Sequence, residues 1–311
     1  MTFTDSPGHR LPARAAAGIG WAVVRLSLIA VPYDSGRRLE RMGAGPRHLL
    51  ERGLPERLRA AGHEVEAVEV LLPEGFHTEV AAGVALMRRV AAEVAAARAG
   101  GRLPVVLSGN CGVAVGTVSA LGGESTGVLW FDAHGDLNTP ETSPSGFFDG
   151  MGYAMLLGHG WQGLAATVPG FTPLPATHAA LLAARDLDPG EHELLAESGL
   201  LTLPPERLRE AAGLDALAAL GRRVERLYVH VDLDALDPRA IRANYLPTPG
   251  GLEPDELVAA AAAALAHAPL AAVGFASYDP REDERDPGPQ VVAAILLGLL
   301  ERPGTARQTR T

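Results

Sequence analysis

The chain has 311 residues, 47% of them hydrophobic, a formal net charge of −10 at neutral pH and a single cysteine, Cys111. Its arginines are interspersed with acids, as in Arg37, Arg38, Glu40 and Arg41, so no basic face is offered to nucleic acid. One cysteine excludes an intrachain disulfide and fits a reducing, cytoplasmic compartment, and the longest apolar run near the C-terminus, residues 291–300, is too short to span a bilayer.

Residues 1–20 carry Pro, Gly and charge, with no uninterrupted apolar segment before a cleavage site, and read as a loose or disordered leader. From there short β-like runs alternate with Ala/Leu-rich helical stretches. A strand at 23–31 is followed by the turn Gly43-Ala44-Gly45-Pro46 and a helix over 47–61. A strand at 63–70 and a long helix at 79–99 come next, then a core strand at 103–107 entering the turn Ser108-Gly109-Asn110-Cys111-Gly112. The run 127–131 is a strand, followed by a polar loop and a helix at about 150–157. An apolar run at 178–183 precedes Asp186-Leu187-Asp188-Pro189-Gly190-Glu191, whose Asp-Pro pair suits a helix start. A strand at 227–231, a helix at 253–267, a strand at 271–275 and a helix at 287–300 complete the series. Such alternation predicts an α/β fold, a parallel sheet covered on both faces by helices. With no repeat and no clear linker, one domain over 21–302 and a flexible tail at 303–311 are expected.

Two polar clusters stand out because each directly follows a predicted strand. Trp130-Phe131 leads into Asp132-Ala133-His134-Gly135-Asp136-Leu137-Asn138, and Val229-His230-Val231 into Asp232-Leu233-Asp234-Ala235-Leu236-Asp237-Pro238. Along an extended backbone, residues two apart project to one side, so Asp132, His134 and Asp136 converge at a strand end. Hard divalent cations prefer oxygen ligands with imidazole as an addition, and a pair of them acidifies a shared water. The plainer alternative is a set of solvated strand-end carboxylates and helix caps. His230, by alternation, shares a side with Asp232, although a core histidine bonded to a backbone carbonyl is the simpler expectation.

With those motifs in hand, the chain resembles the arginase/agmatinase (ureohydrolase) family over nearly all of 23–300, in both Asp-rich signatures and in Gly43 to Pro46. The resemblance implies a three-layer α/β/α sandwich with a mostly parallel sheet and a dimanganese centre that hydrolyses guanidino groups. It implies that Asp132 and Asp232 bridge two Mn²⁺ ions, one ion being possible instead. Asp136 completes the shell of one ion, and His134 and Asp234 bind the other. The remaining ligand position, a His in the family, falls on Cys111, a soft thiolate where Mn²⁺ prefers oxygen and nitrogen. A cysteine there, with Asn138-Thr139-Pro140-Glu141-Thr142 and Ala243-Asn244-Tyr245, is similar to the N-hydroxy-L-arginine hydrolase subgroup of cycloserine biosynthesis, which releases hydroxyurea and ornithine.

By the same resemblance Asp188 and Glu191 face a substrate α-amino group, while Asn138 and Ser145 face its carboxylate. Asp136 acts on the proton of the attacking water. Asp149 stands where arginases carry a proton-shuttling His, and Ser277 where they carry a guanidinium-binding Glu. Loss of that charge-assisted pair weakens recognition of a cationic guanidine, and Asp149 or Asp279 are the groups able to restore it. A small amino acid substrate and a homo-oligomer, trimer or hexamer, follow from the resemblance. A non-catalytic member with a binding or regulatory role is the alternative.

Overall fold

Apolar runs of four to seven residues without helical spacing become strands buried on both faces, and the central strands here are of that kind. The computed structural model describes residues 23–75 and 77–301; the leader and tail expected at 1–20 and 303–311 lie outside them. Beside a short antiparallel pair, Tyr33–Asp34 and Arg37–Arg38, the strands of the main sheet are β1 (Arg25–Val31), β2 (Glu64–Glu69), β3 (Leu103–Ser108), β4 (Thr126–Phe131), β5 (Ala179–Leu182), β6 (Leu201–Leu203), β7 (Arg226–Asp232) and β8 (Leu270–Ala276). Among the described residues they form one sheet in the order β2-β1-β3-β8-β7-β4-β5-β6, and all its pairs are parallel.

Period two divides the strand residues between two cores. Val105, Leu107, Leu129, Phe131, Val229 and Val231 pack against the helices Leu54–Ala60, Ala211–Gly221, Pro254–Leu265 and Gly288–Leu300. Val106, Val128, Trp130 and Tyr228 face the other way, onto Glu79–Ala99, Ala114–Leu121 and Gly152–Leu156. The result is the expected three-layer α/β/α sandwich.

Some local expectations change. The helix expected over 47–61 is two helices, Gly45–Glu51 and Leu54–Ala60, broken at Gly53, whose φ of +87° is costly for any residue with a Cβ. Pro55 then opens the second helix, where its missing N–H costs nothing. Strand β6 and the helix Ala211–Gly221 are additions to the sequence reading.

The sheet order positions the site. The chain builds outward from β1, jumps to β4, and returns last to place β7 and β8 in the gap. Ligands in open parallel sheets gather at carboxyl ends beside such a switch point. Here the four central strands β3, β8, β7 and β4 end beside Cys111, Ser277, Asp232 and Asp132.

Candidate metal centre and active site

Register fixes which groups meet. β4 and β7 pair Trp130 with His230 and Phe131 with Val231, so the two Asp-rich segments leave the sheet side by side. Two groups of ligand atoms result, each within 4.8 Å: Cys111, Asp132 and Asp136 in one, Asp132, His134 and Asp234 in the other. Asp132 belongs to both. Its Oδ1 accepts from the His134 backbone N–H at 2.8 Å and its Oδ2 from the Trp130 indole N–H at 3.1 Å. His134 Nδ1 lies 3.4 Å from both Asp132 Oδ1 and Asp234 Oδ2. Asp232 accepts the Cys111 thiol at 3.0 Å and the Asp234 N–H at 2.9 Å. Asp234 is held by the Ala133 N–H and by Asn244 Nδ2, each at 3.1 Å.

So many buried acids in one place suit a cation. Burial, then the neighbouring carboxylates, pushes Asp136 and Asp232 well above the usual carboxylate range, and the same causes raise the Cys111 thiol. Burial alone would lower His134, yet hydrogen bonds to Asp132 and Asp234 push it up to about 12. A fixed positive charge relieves these costs better than protons do. Asp136 supplies the clearest sign: its Oδ2 is buried without a hydrogen-bond partner, and its backbone sits at φ +51°. That left-handed conformation is held by the Tyr153 and Ala154 N–H groups, both 3.0 Å from the Asp136 carbonyl. An unsatisfied carboxylate oxygen held by a strained backbone among further oxygen and imidazole donors fits a hard divalent ion such as Mn²⁺.

A cavity of about 160 Å³ opens over these groups, lined also by Asn138, Ser145, Asp149, Asp188, Glu191 and Ser277. All the sequence-predicted site residues except the fully enclosed Asp132 therefore border one space. Their surroundings differ from one another. Asp188 is the N-cap of the helix Pro189–Ser198 and accepts Asn138 Nδ2 at 2.8 Å. Both oxygens of Glu191 are engaged, by the Leu137 N–H at 3.0 Å and the Asp188 N–H at 2.9 Å. Ser145 is exposed at the mouth. Asp149 accepts the Gly112 N–H and Asn110 Nδ2, each at 2.7 Å, and burial raises it to about 7. Ser277 puts its hydroxyl 3.5 Å from the Cys111 sulfur, at a φ of +63°.

Asp279 does not restore charge at the site. It pairs with Arg281 at 2.7 Å and is absent from the cavity wall. His230 is a core histidine, bonded at Nδ1 to the Tyr228 hydroxyl at 2.9 Å and not to a backbone carbonyl; burial lowers it to about 3, so it is neutral. Sequence reasoning did not single out Asn244 as a partner of Asp234, or Arg185, which donates to the carbonyls of Ala183 (2.9 Å), Asp234 (2.8 Å) and Thr248 (2.6 Å). Arg185 directly precedes the motif Asp186 to Glu191, and an arginine at that place was the available signal.

Comparison with known proteins gives the family. The Arginase family model matches residues 24–300. The chain is 30% identical over 292 residues to an arginase of Bacillus caldovelox, covering 88% of this chain and 97% of the relative. It is 33% identical over 242 residues to an arginase of Brevibacillus brevis, covering 73% and 81%. The crystal structure of arginase from Bacillus cereus aligns at a TM-score of 0.79 with 27% identity, over 89% of this chain and 98% of its own. Fold and site together define a metal-dependent ureohydrolase. The chain belongs to the arginase family.

Proposed function

We propose that the chain is a manganese-dependent hydrolase of an arginine-like amino acid, releasing ornithine with urea from arginine or with hydroxyurea from N-hydroxy-L-arginine. The observation that carries the reading is the pair of ligand groups sharing Asp132 inside the cavity that also holds Asn138 and Asp188. Asp132 and Asp232 would bridge two ions, with Cys111 and Asp136 toward one and His134 and Asp234 toward the other. When bound, the pair acidifies water enough for attack on an amidine carbon near neutral pH.

Around that centre the side chains orient and move protons. Asp136 takes the proton of the attacking water and returns it to the departing amine, and Asp149 stands ready as a second proton carrier. Asp188 receives the substrate α-ammonium. Glu191 adds negative charge while its oxygens fix the Leu137 and Asp188 backbone. Asn138 and Ser145 offer neutral donors to the carboxylate. A hydroxyl at Ser277, with Asp279 turned to Arg281, favours the less basic N-hydroxyguanidine over a fully cationic guanidine.

The test is metal analysis of the purified chain together with an assay of urea, hydroxyurea and ornithine from both substrates. Bound Mn²⁺ and faster ornithine release from N-hydroxy-L-arginine are expected; bound Mn²⁺ with no ornithine from either would overturn the reading. We also propose one catalytic domain over 21–302, a cytoplasmic location and a homo-oligomer, trimer or hexamer, the last measured by sedimentation. Among the described residues no helix is long and apolar enough to cross a membrane.

A further inference from the structure

We propose that Trp130 is a positioning residue for Asp132, its indole N–H fixing the orientation of the carboxylate that both ligand groups share. The inference rests on the metal reading above. It starts from local geometry: Trp130 lies near the end of β4 and Asp132 directly follows the strand, so the two are two apart and face the same side. The indole N–H reaches Asp132 Oδ2 at 3.1 Å, while Oδ1 accepts the His134 N–H at 2.8 Å. The two oxygens of the one carboxylate common to both ligand groups therefore have different, non-interchangeable donors.

The donor is itself immobilised. Tyr153 stacks on the indole at 4.6 Å with planes 5° apart, and His230 covers it on another side at 3.8 Å and 23°. His230 is in turn held by Tyr228. On β8, Gly274 leaves the room this layer needs, because a Cβ there would lie 2.2 Å from the Tyr228 hydroxyl. Trp130, Tyr153, Tyr228 and His230 are all buried, so no solvent competes for the bond and it acts in a low dielectric. An indole N–H only donates. A tryptophan that merely fills the core would stack equally well without this bond, and that is the distinction to measure.

Two proteins make it. Trp130→Phe keeps a stacked ring and removes the N–H. Site-specific replacement of Trp130 by β-(3-benzothienyl)alanine keeps the shape and puts sulfur in place of the N–H, so folding is preserved even where the phenylalanine variant is unstable. Mn²⁺ titration, read by the signal of the free ion, is combined with thermal unfolding of the metal-free proteins. The expected result is Mn²⁺ binding weaker by about 10–100-fold in both, with the benzothienyl protein unfolding like the parent when metal-free. Benzothienyl protein that binds Mn²⁺ as tightly as the parent overturns the proposal and leaves the metal reading intact. A parent chain that binds no Mn²⁺ overturns both.

Discussion

Cys111 donates its thiol hydrogen to Asp232 and lies within ligand distance of Asp132 and Asp136. Burial and four surrounding carboxylates keep that thiol protonated, whereas coordination to a divalent ion deprotonates it. Cys111→His should therefore raise Mn²⁺ affinity by offering a harder ligand, and Cys111→Ala should lower it, as read by metal titration. Unchanged affinity in the alanine variant would mean that the sulfur only fills space. A second prediction concerns Asp188, which both caps a helix and holds Asn138. Asp188→Ala should raise KM for an α-amino acid substrate and spare an analogue lacking the amino group, with a loss of about 1 kcal/mol from the cap alone. Equal effects on both substrates would confine Asp188 to the cap. At this scale the sequence was most legible where chemistry and spacing coincided. Asp132, His134 and Asp136 declare themselves by alternation after an apolar run. Trp130 stood in the same stretch and read only as apolar, because a hydrogen bond from its ring depends on a rotamer that spacing does not reveal. Asp279 misled for the matching reason: nothing in its segment told which way the carboxylate turns.

The segment after β7 shows how an element is fixed by one side chain outside the metal shell. Asp237 accepts the Arg239 N–H at 3.0 Å, Arg239 Nε at 2.7 Å and the Gly250 N–H at 2.9 Å, tying the end of the second Asp-rich motif to the loop before the helix Pro254–Leu265. Arg239, then these backbone donors, holds its carboxyl down to about 2. Because the folded value is depressed, the stabilisation is complete above the unfolded value of about 3.9 and is lost as pH falls through the folded one. Asp237→Asn should cost about 1–2 kcal/mol at neutral pH. The gap from the parent in urea unfolding should hold down to roughly pH 4 and narrow below it. A gap independent of pH across that range would remove the carboxylate from the argument. Elements with a strong local signature were readable: the Asp-Pro start of Pro189–Ser198 and the long helix Glu79–Ala99 both stand where expected. The three-residue edge strand β6 was too short to give a pattern, and Ala211–Gly221 is an Ala/Leu run whose buried side was unmarked by polar residues. The break at Gly53 needed the left-handed φ to be known, since Arg52-Gly53-Leu54-Pro55 can also be threaded as a kinked helix.

For the molecule as a whole, local pattern gave a parallel α/β sandwich but not the strand order, because alternation fixes faces and leaves neighbours open. The return of β7 and β8 into the gap between β3 and β4 is a long-range choice. It brings Cys111, just after an early strand, against Asp232, at the end of a late one, 121 residues apart in sequence. That joining has a thermodynamic consequence. Metal-free, the centre of the sheet holds several crowded carboxylates whose ionised forms burial disfavours. An ion that binds only the folded chain relieves them and stabilises the fold through mass action, by about 2.7 kcal/mol at a free concentration one hundred times Kd. For a chain of this size that is roughly a 4 °C rise in Tm. Thermal unfolding should therefore shift upward with added Mn²⁺ in a concentration-dependent way and fall back on chelation. Mg²⁺ should do less, since it demands a near-ideal oxygen octahedron that this mixed carboxylate, imidazole and thiol set does not offer. In Asp232→Asn most of the Mn²⁺-induced rise should vanish while the metal-free Tm stays close to that of the parent. A Tm indifferent to both Mn²⁺ and chelator would show that these carboxylates close the sheet without an ion, and the dinuclear centre would fall with it.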